Sequence, residues 1–98
     1  LLPVIVQEES SGAVLMLAYA NPDAAQKTQE TGFAHYWSRS RNALWKKGES
    51  SGHFQQIVEV LVDCDEDTLL YKVHQTGPAC HTGAPTCFFR ELKKTKVK

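Results

Sequence analysis

One segment of this 98-residue chain carries a complete set of helix signals. Asn21 and Pro22 open it, because an asparagine side chain accepts hydrogen bonds from the first free amides and proline fits the first helical turn. Asp23 suits the positive end of the helix dipole, and Gly32 supplies a stop. The pattern predicts a single helix that runs through Thr31.

Short apolar or aromatic runs of strand length make up most of the remaining chain. The predicted strands cover residues 4–6, 13–19, 33–38, 54–62, 68–75 and 87–92. Segments 39–53 and 76–85 are polar and contain glycine, so both are predicted loops, and the first is long enough to indicate a functional loop. One helix among many strands predicts an α+β fold, a mainly antiparallel sheet in one small domain over residues 1–98.

The charges cancel overall but not locally. Eleven Lys and Arg balance eleven Asp and Glu, which argues against a partner such as nucleic acid or a membrane surface. The longest apolar run, 13–20, is shorter than the roughly 20 residues of a membrane span. A basic block lies within 36–53 and an acidic block within 59–67. The basic end of the chain, within 89–98, is predicted to be a frayed tail.

The cysteines Cys64, Cys80 and Cys87 are too few, and odd in number, for a disulfide-stapled secreted domain. They indicate a reducing, cytoplasmic location. Three thiolates can hold Zn²⁺ and leave a fourth position for water, as in a catalytic site. His81 could fill that position instead, or stay off the metal and act as a base. The spacing is equally compatible with buried structural cysteines.

The acidic block contains Asp63, Asp65 and Asp67 in alternation. Alternate side chains of an extended segment share a face, and three neighbouring carboxylates repel one another unless a cation neutralises them. Hard cations such as Mg²⁺ take oxygen ligands of this kind. A solvated acidic turn without a metal is the alternative.

The long polar segment combines groups that bind phosphate with aromatic rings. Arginine matches phosphate with its planar fork, backbone amides of glycine-rich turns form anion sites, and tryptophan offers a flat face to a base. These features predict a nucleotide-phosphate pocket, and a polar hairpin with two core tryptophans is the alternative. The predicted substrate-binding residues are Trp37, Ser38, Arg39, Ser40, Arg41, Trp45, Lys47, Gly48, Glu49, Ser50, Ser51 and Gly52.

Taken in order, several blocks between residues 13 and 90 resemble the phosphoribosyl-AMP cyclohydrolase family, which catalyses the third step of histidine biosynthesis. The blocks are Val14-Leu15-Met16-Leu17-Ala18-Tyr19 with Asn21, Thr31-Gly32, Tyr36-Trp37-Ser38-Arg39-Ser40-Arg41, Leu44-Trp45, Lys47-Gly48-Glu49-Ser50-Ser51-Gly52, Asp63-Cys64-Asp65 with Asp67, Gly77-Pro78-Ala79-Cys80-His81-Thr82-Gly83, and Cys87-Phe88. His53 departs from the pattern, because asparagine is frequent at that position in the family.

The resemblance implies a reaction and a set of ligands. Water would open the adenine ring of phosphoribosyl-AMP between N1 and C6, with His81 as the candidate that moves the proton. Zinc would bind Cys64, Cys80 and Cys87, and magnesium would bind Asp63, Asp65 and Asp67. An intertwined homodimer would share its active sites, with Cys64 from one chain and the other two cysteines from its partner. A non-catalytic, zinc-stabilised nucleotide-binding module is the alternative function.

Overall fold

The computed structural model describes residues 1–93, and the final five positions of the predicted basic tail lie outside this range. The elements in chain order are β1 (Leu2–Glu8), β2 (Val14–Ala20), α1 (Pro22–Thr31), β3 (His35–Ser38), β4 (Ala43–Lys46), β5 (Gln55–Val62) and β6 (Leu69–Gln75). One helix and six strands in a small domain confirm the predicted α+β class. No helix within residues 1–93 is long and apolar enough to cross a membrane.

Four strands form the main sheet in the order β2-β1-β6-β5, and β3 and β4 form a separate hairpin. The pairs β1–β2, β5–β6 and β3–β4 are antiparallel, while the central pair β1–β6 is parallel. The sheet is therefore mainly antiparallel, as predicted. The turn before β6 and the loop after it lie at opposite ends of that strand, and therefore at opposite ends of the sheet.

The helix begins and ends where its capping residues predict. The Asn21 side chain accepts a hydrogen bond from the Ala24 amide at 2.8 Å, and Gly32 adopts the left-handed conformation with φ 77°. The Gly32 amide donates to the carbonyl of Thr28 and closes the last turn. The two ends are thus satisfied by local residues, which is why the sequence alone located them.

One loop prediction and one strand prediction are wrong. Segment 39–53 is not one loop, because Ala43–Lys46 returns against β3 through a turn in which Asn42 has a positive φ of 51°. Segment 87–92 is not a strand: the Cys87 amide donates to the Leu15 carbonyl at 2.7 Å, but no ladder follows. Phe88 and Leu92 are more than half exposed, so this apolar run covers no core face within the chain.

The hydrophobic core lies between one face of the main sheet and the layer formed by α1 and the β3–β4 hairpin. Val4, Val6, Tyr71 and Val73 point from β1 and β6 into this space and are fully buried, as is Tyr36 from β3. A fully buried side chain of this size contributes about 1.5–3 kcal/mol through removal of apolar surface from water. This packing fixes the hairpin, and with it the basic block, over the sheet.

The opposite face of the sheet is apolar and uncovered. Leu17, Ile5, Leu70 and Leu61 are aligned by the strand registers into one row across all four strands. Leu17 is 48% exposed, Leu61 40% and Ile5 37%. An open sheet face is usually polar, so a continuous apolar row marks a surface suited to association with another protein. We call these four residues the apolar row.

Candidate active site and metal centres

The candidate ligands are divided between the two ends of β6. The acidic turn, residues 63–68, joins β5 to β6 and carries Cys64 and the three aspartates. The cysteine loop, residues 76–87, follows β6 and carries Cys80, His81 and Cys87. Seven extended residues span about 20 Å, so the acidic turn and the start of the cysteine loop are separated by roughly that distance.

The acidic turn brings the three predicted magnesium ligands together. Asp63 Oδ1 accepts hydrogen bonds from the amides of Asp67 at 2.9 Å and Thr68 at 3.1 Å, which folds the turn tightly. Carboxylate oxygens of Asp63, Asp65 and Asp67 all lie within 4.8 Å of one another. Desolvation raises the pKa of the Asp63 carboxyl, but these hydrogen bonds outweigh it and lower the pKa overall. The turn therefore presents oxygen donors of the kind that a hard cation binds.

Two of the three predicted zinc ligands meet in the cysteine loop. Cys80 is 8% exposed, and its thiol accepts a hydrogen bond from the Thr82 hydroxyl at 3.0 Å. This bond and others from Thr82, Cys87 and the charge of Lys47 lower the pKa of Cys80, despite desolvation. Desolvation raises the pKa of Cys87, and the neighbouring Cys80 adds to the rise. Two neighbouring cysteine thiols in one loop are of the kind that binds zinc.

Cys64 is not part of this group. Its thiol is exposed and contacts Asp65 Oδ1 at 3.7 Å, in the acidic turn. Over residues 1–93, the aspartate trio is the one cluster of three metal-ligand side chains that the fold assembles. A single chain thus supplies two cysteines at one end of the sheet and the third at the other.

A groove runs from the basic hairpin to the cysteine loop. One part is lined by Arg41, Trp45 and residues 46–51, and the other by Lys47, Ser51, His53, Pro78, Ala79, Cys80, His81 and Gly83. Lys47 and Ser51 belong to both parts. The Lys47 ammonium donates to the Ala79 carbonyl at 2.7 Å, so the basic block is held against the cysteine loop. His81, which is exposed, lies on the same groove as Cys80.

The other predicted substrate-binding residues occupy several environments. The Arg39 guanidinium lies 3.8 Å from the centre of the Tyr19 ring, which fixes its direction by a cation–π contact. Ser38 accepts from the Arg41 amide at 3.2 Å and shapes the hairpin turn together with Ser40. Trp45 packs against Tyr36 with ring centres 5.1 Å apart, so one of its faces belongs to the core. Five residues of the predicted set do not line the two parts of the groove: Trp37, which is half-buried on β3, Ser38, Arg39, Ser40 and Gly52.

Sequence reasoning did not include His53 among the site residues. Its ring packs on Gly77, where an added Cβ would come within 2.7 Å of His53 Cδ2, and it lines the groove beside Cys80. Gly77 has a positive φ of 70°, so both the backbone and the contact favour glycine there. Gly77 was the available sequence signal for this contact, because glycine lets another group come close to the backbone.

Comparison with known proteins agrees with this arrangement of motifs. The family model described as phosphoribosyl-AMP cyclohydrolase matches residues 16–89. A protein named phosphoribosyl-AMP cyclohydrolase from Methanoregula boonei is 62% identical over 92 residues, which cover 94% of this chain and 75% of the relative. One of the same name from Archaeoglobus fulgidus is 58% identical over 98 residues, covering 100% of this chain and 91% of the relative.

A longer relative also matches. The histidine biosynthesis bifunctional protein HisIE from Aquifex aeolicus is 57% identical over 99 residues, covering 100% of this chain and 48% of that protein. The family match extends from β2 through the cysteine loop and so includes the acidic turn, the hairpin and both cysteines of the cysteine loop. On these grounds, the chain belongs to the phosphoribosyl-AMP cyclohydrolase family.

Proposed function

We propose that this protein, an enzyme of histidine biosynthesis by its family, hydrolyses the adenine ring of phosphoribosyl-AMP between N1 and C6 in the cytoplasm, using zinc and magnesium. The observation that carries the proposal is the groove that joins a basic hairpin to the Cys80 thiol and the His81 imidazole. A nucleotide with two phosphoribosyl groups needs cationic side chains for its phosphates and, at a distance from them, groups that act on the reacting ring. The groove offers both kinds of group.

The proposed zinc ligands are Cys80 and Cys87 of one chain and Cys64 of a second copy. Support comes from the separation of the thiols, because Cys64 lies at the far end of β6, about 20 Å from the start of the cysteine loop. Zinc bound by three thiolates supplies a Lewis acid that makes water a stronger nucleophile at neutral pH.

The apolar row is the proposed dimer surface. Ile5, Leu17 and Leu61 are exposed in one chain and Leu70 is half-buried, and burial of the row against a second copy would remove it from water. A twofold axis perpendicular to the strands would reverse one sheet relative to the other and bring the acidic turn of each chain to the cysteine loop of its partner. The homodimer would then complete two zinc sites, each beside one aspartate trio that holds magnesium.

Phosphate binding, contact with a base and proton transfer are assigned to different side chains of the groove and the hairpin. Lys47, Arg41 and Arg39 would bind phosphate oxygens, and the Trp45 face left open by the core would contact a base. The oxygen of water forms a bond with C6, the C6–N1 bond breaks, and N1 takes up a proton. His81 is positioned on the groove to move that proton, leaving an imidazole carboxamide that retains both phosphates.

The ultraviolet spectrum of phosphoribosyl-AMP tests this function, since opening the purine ring changes its absorbance. The expected result is a rapid spectral change with zinc and magnesium present, and its loss after chelation. Absence of any change under the first condition would favour the alternative, a non-catalytic module in which zinc only stabilises the fold. Such a module would unfold when zinc is removed, which circular dichroism would detect.

Replacement of Arg41 by alanine should raise KM for phosphoribosyl-AMP by about 10-fold or more, because a hydrogen bond to a charged group contributes roughly 1.5–3 kcal/mol. Arg39→Ala should act in the same direction. Lys27→Ala is the control with matched charge, since Lys27 is exposed on α1. Steady-state kinetics measures the effect, and an unchanged KM in both arginine variants would remove them from the phosphate site.

A further inference from the structure

A line of polar side chains connects the hydrophobic core to the rim of the groove. Tyr36 and Gln55 are fully buried, and Gln75 is half-buried at the end of β6. A buried amide or hydroxyl costs about 1–3 kcal/mol if it lacks a hydrogen-bond partner. These three side chains satisfy one another in sequence, and we call them the polar relay.

The hydrogen bonds of the polar relay run in one direction. The Tyr36 hydroxyl donates to Gln55 Oε1 at 2.5 Å, and Gln55 Nε2 donates to Gln75 Oε1 at 2.8 Å. Gln75 Nε2 then donates to the carbonyls of Thr76 at 3.1 Å and His53 at 3.3 Å. Burial, and to a lesser degree Tyr71, raises the pKa of Tyr36 well above its usual value, so the phenol keeps its proton at neutral pH. A phenol that donates fixes the orientation of both carboxamides after it.

The end of the polar relay lies where two site loops meet. His53 closes the segment 47–53, which we call the serine loop, and Thr76 opens the cysteine loop. The Gln75 carboxamide therefore bonds to both loops at once, and the Thr76 amide adds a bond to the Phe54 carbonyl at 3.0 Å. The loops also touch directly, because the His53 ring packs on Gly77. Within the serine loop, the His53 carbonyl carbon lies 2.6 Å from a Cβ built on Gly48, so the loop is closed tightly at this point. The two loops are therefore packed against each other.

We propose that Gln75, oriented by Gln55 and Tyr36, is a positioning residue that sets the distance between the serine loop and the cysteine loop. The serine loop carries Lys47, and the cysteine loop carries Cys80 and His81. The polar relay thereby controls how bound phosphate is spaced from the reacting ring. This inference rests on the proposed function for its kinetic consequence, but its structural consequence can be measured without substrate.

Two variants, each of which removes one buried phenol hydroxyl, distinguish a positioning role from a purely stabilising role. Tyr36→Phe deletes the first donor of the polar relay, and Tyr71→Phe deletes a second buried hydroxyl, which donates to Thr28 Oγ1 at 3.4 Å on the helix side. Both variants keep their rings, and both should lower Tm. Only Tyr36→Phe should lower kcat, by about 10–100-fold with little change in KM, since a shift of about 1 Å in a reacting geometry can cost 10²-fold. An equal kcat loss in both variants would overturn the proposal.

The variant Gln75→Glu tests the last hydrogen bonds of the polar relay, which Gln75 donates to the His53 and Thr76 carbonyls. Glutamate retains an oxygen for the Gln55 donor but loses the donors to His53 and Thr76. We expect a kcat loss like that of Tyr36→Phe, and the double variant should lose little more, because both changes break one connected unit. Losses that multiply independently would contradict a relay.

Hydrogen exchange at the Thr76 amide provides the readout that is independent of activity. Faster exchange is expected in Tyr36→Phe and Gln75→Glu than in Tyr71→Phe, because the contact between the loops opens locally. Unchanged exchange would overturn the polar relay whatever the kinetics show. If hydrogen exchange at Thr76 becomes faster in the two variants but the unmodified protein does not convert phosphoribosyl-AMP, the proposed function fails and the proposed contact between the loops stands.

Discussion

Chains carrying Cys64→Ser and chains carrying Cys80→Ser should each be inactive alone and active when co-expressed. Removal of a zinc ligand should cost at least about 100-fold in activity, above the 10–100-fold typical of residues that only support a ligand. In a mixed dimer, one site receives Cys64 from the second variant and the Cys80–Cys87 pair from the first. Random pairing leaves about one quarter of the sites intact in a twofold dimer, so activity should return to about that fraction.

A second pair of variants provides the matched control. Cys80→Ser and Cys87→Ser both damage the cysteine loop, and no pairing of these chains yields a complete site. Co-expression of this pair should therefore give neither activity nor the zinc content that the first pair regains. Equal recovery by both pairs, or by neither, would contradict a zinc site divided between chains, and atomic absorption of the purified dimers would report it directly.

His81→Ala should reduce kcat by about 10²–10⁴-fold, the range typical of a positioned general acid or base. His81 lines the groove beside Cys80 but is exposed, so its loss leaves no cavity and should change Tm little. Zinc content should remain at the unmodified level if the imidazole is not a ligand. Single-turnover measurement of the spectral change separates this effect from product release.

His74→Ala is the control for His81→Ala. Its imidazole is exposed on β6 and lies 3.8 Å from Glu8, away from the groove. Its kcat should be unchanged. A loss below about 10-fold in His81→Ala would remove the general-base assignment, and loss of zinc together with activity would make His81 a ligand instead.

The parts of the fold that local residues determine were predictable. The helix ends followed from Asn21 and Gly32 because each satisfies backbone groups within a few residues. The strand at 43–46 was missed because Asn42 makes a tight turn inside a polar segment that has no alternating pattern. The strand expected at 87–92 is absent because strand formation needs a partner edge, and apolar composition alone does not provide one.

Residue chemistry identified the candidate ligands, but their arrangement depended on topology. The spacing of Cys64, Cys80 and Cys87 alone does not place the first thiol apart from the others, since that follows from the extended strand β6 between Cys64 and Cys80. Gln55 and Gln75 were not predicted as site components, and neither of them lines the groove. Their signal was available as polar residues on the inward face of two predicted strands.

The position of β6 between the acidic turn and the cysteine loop has a consequence for how activity depends on protein concentration. It puts complementary halves of the proposed metal centre at opposite poles of each chain, so an isolated chain would be folded yet chemically incomplete. Turnover per chain would follow mass action and fall on dilution below the dissociation constant of the dimer. A substitution on the apolar row would then act on catalysis from a distance, through the population of paired chains alone.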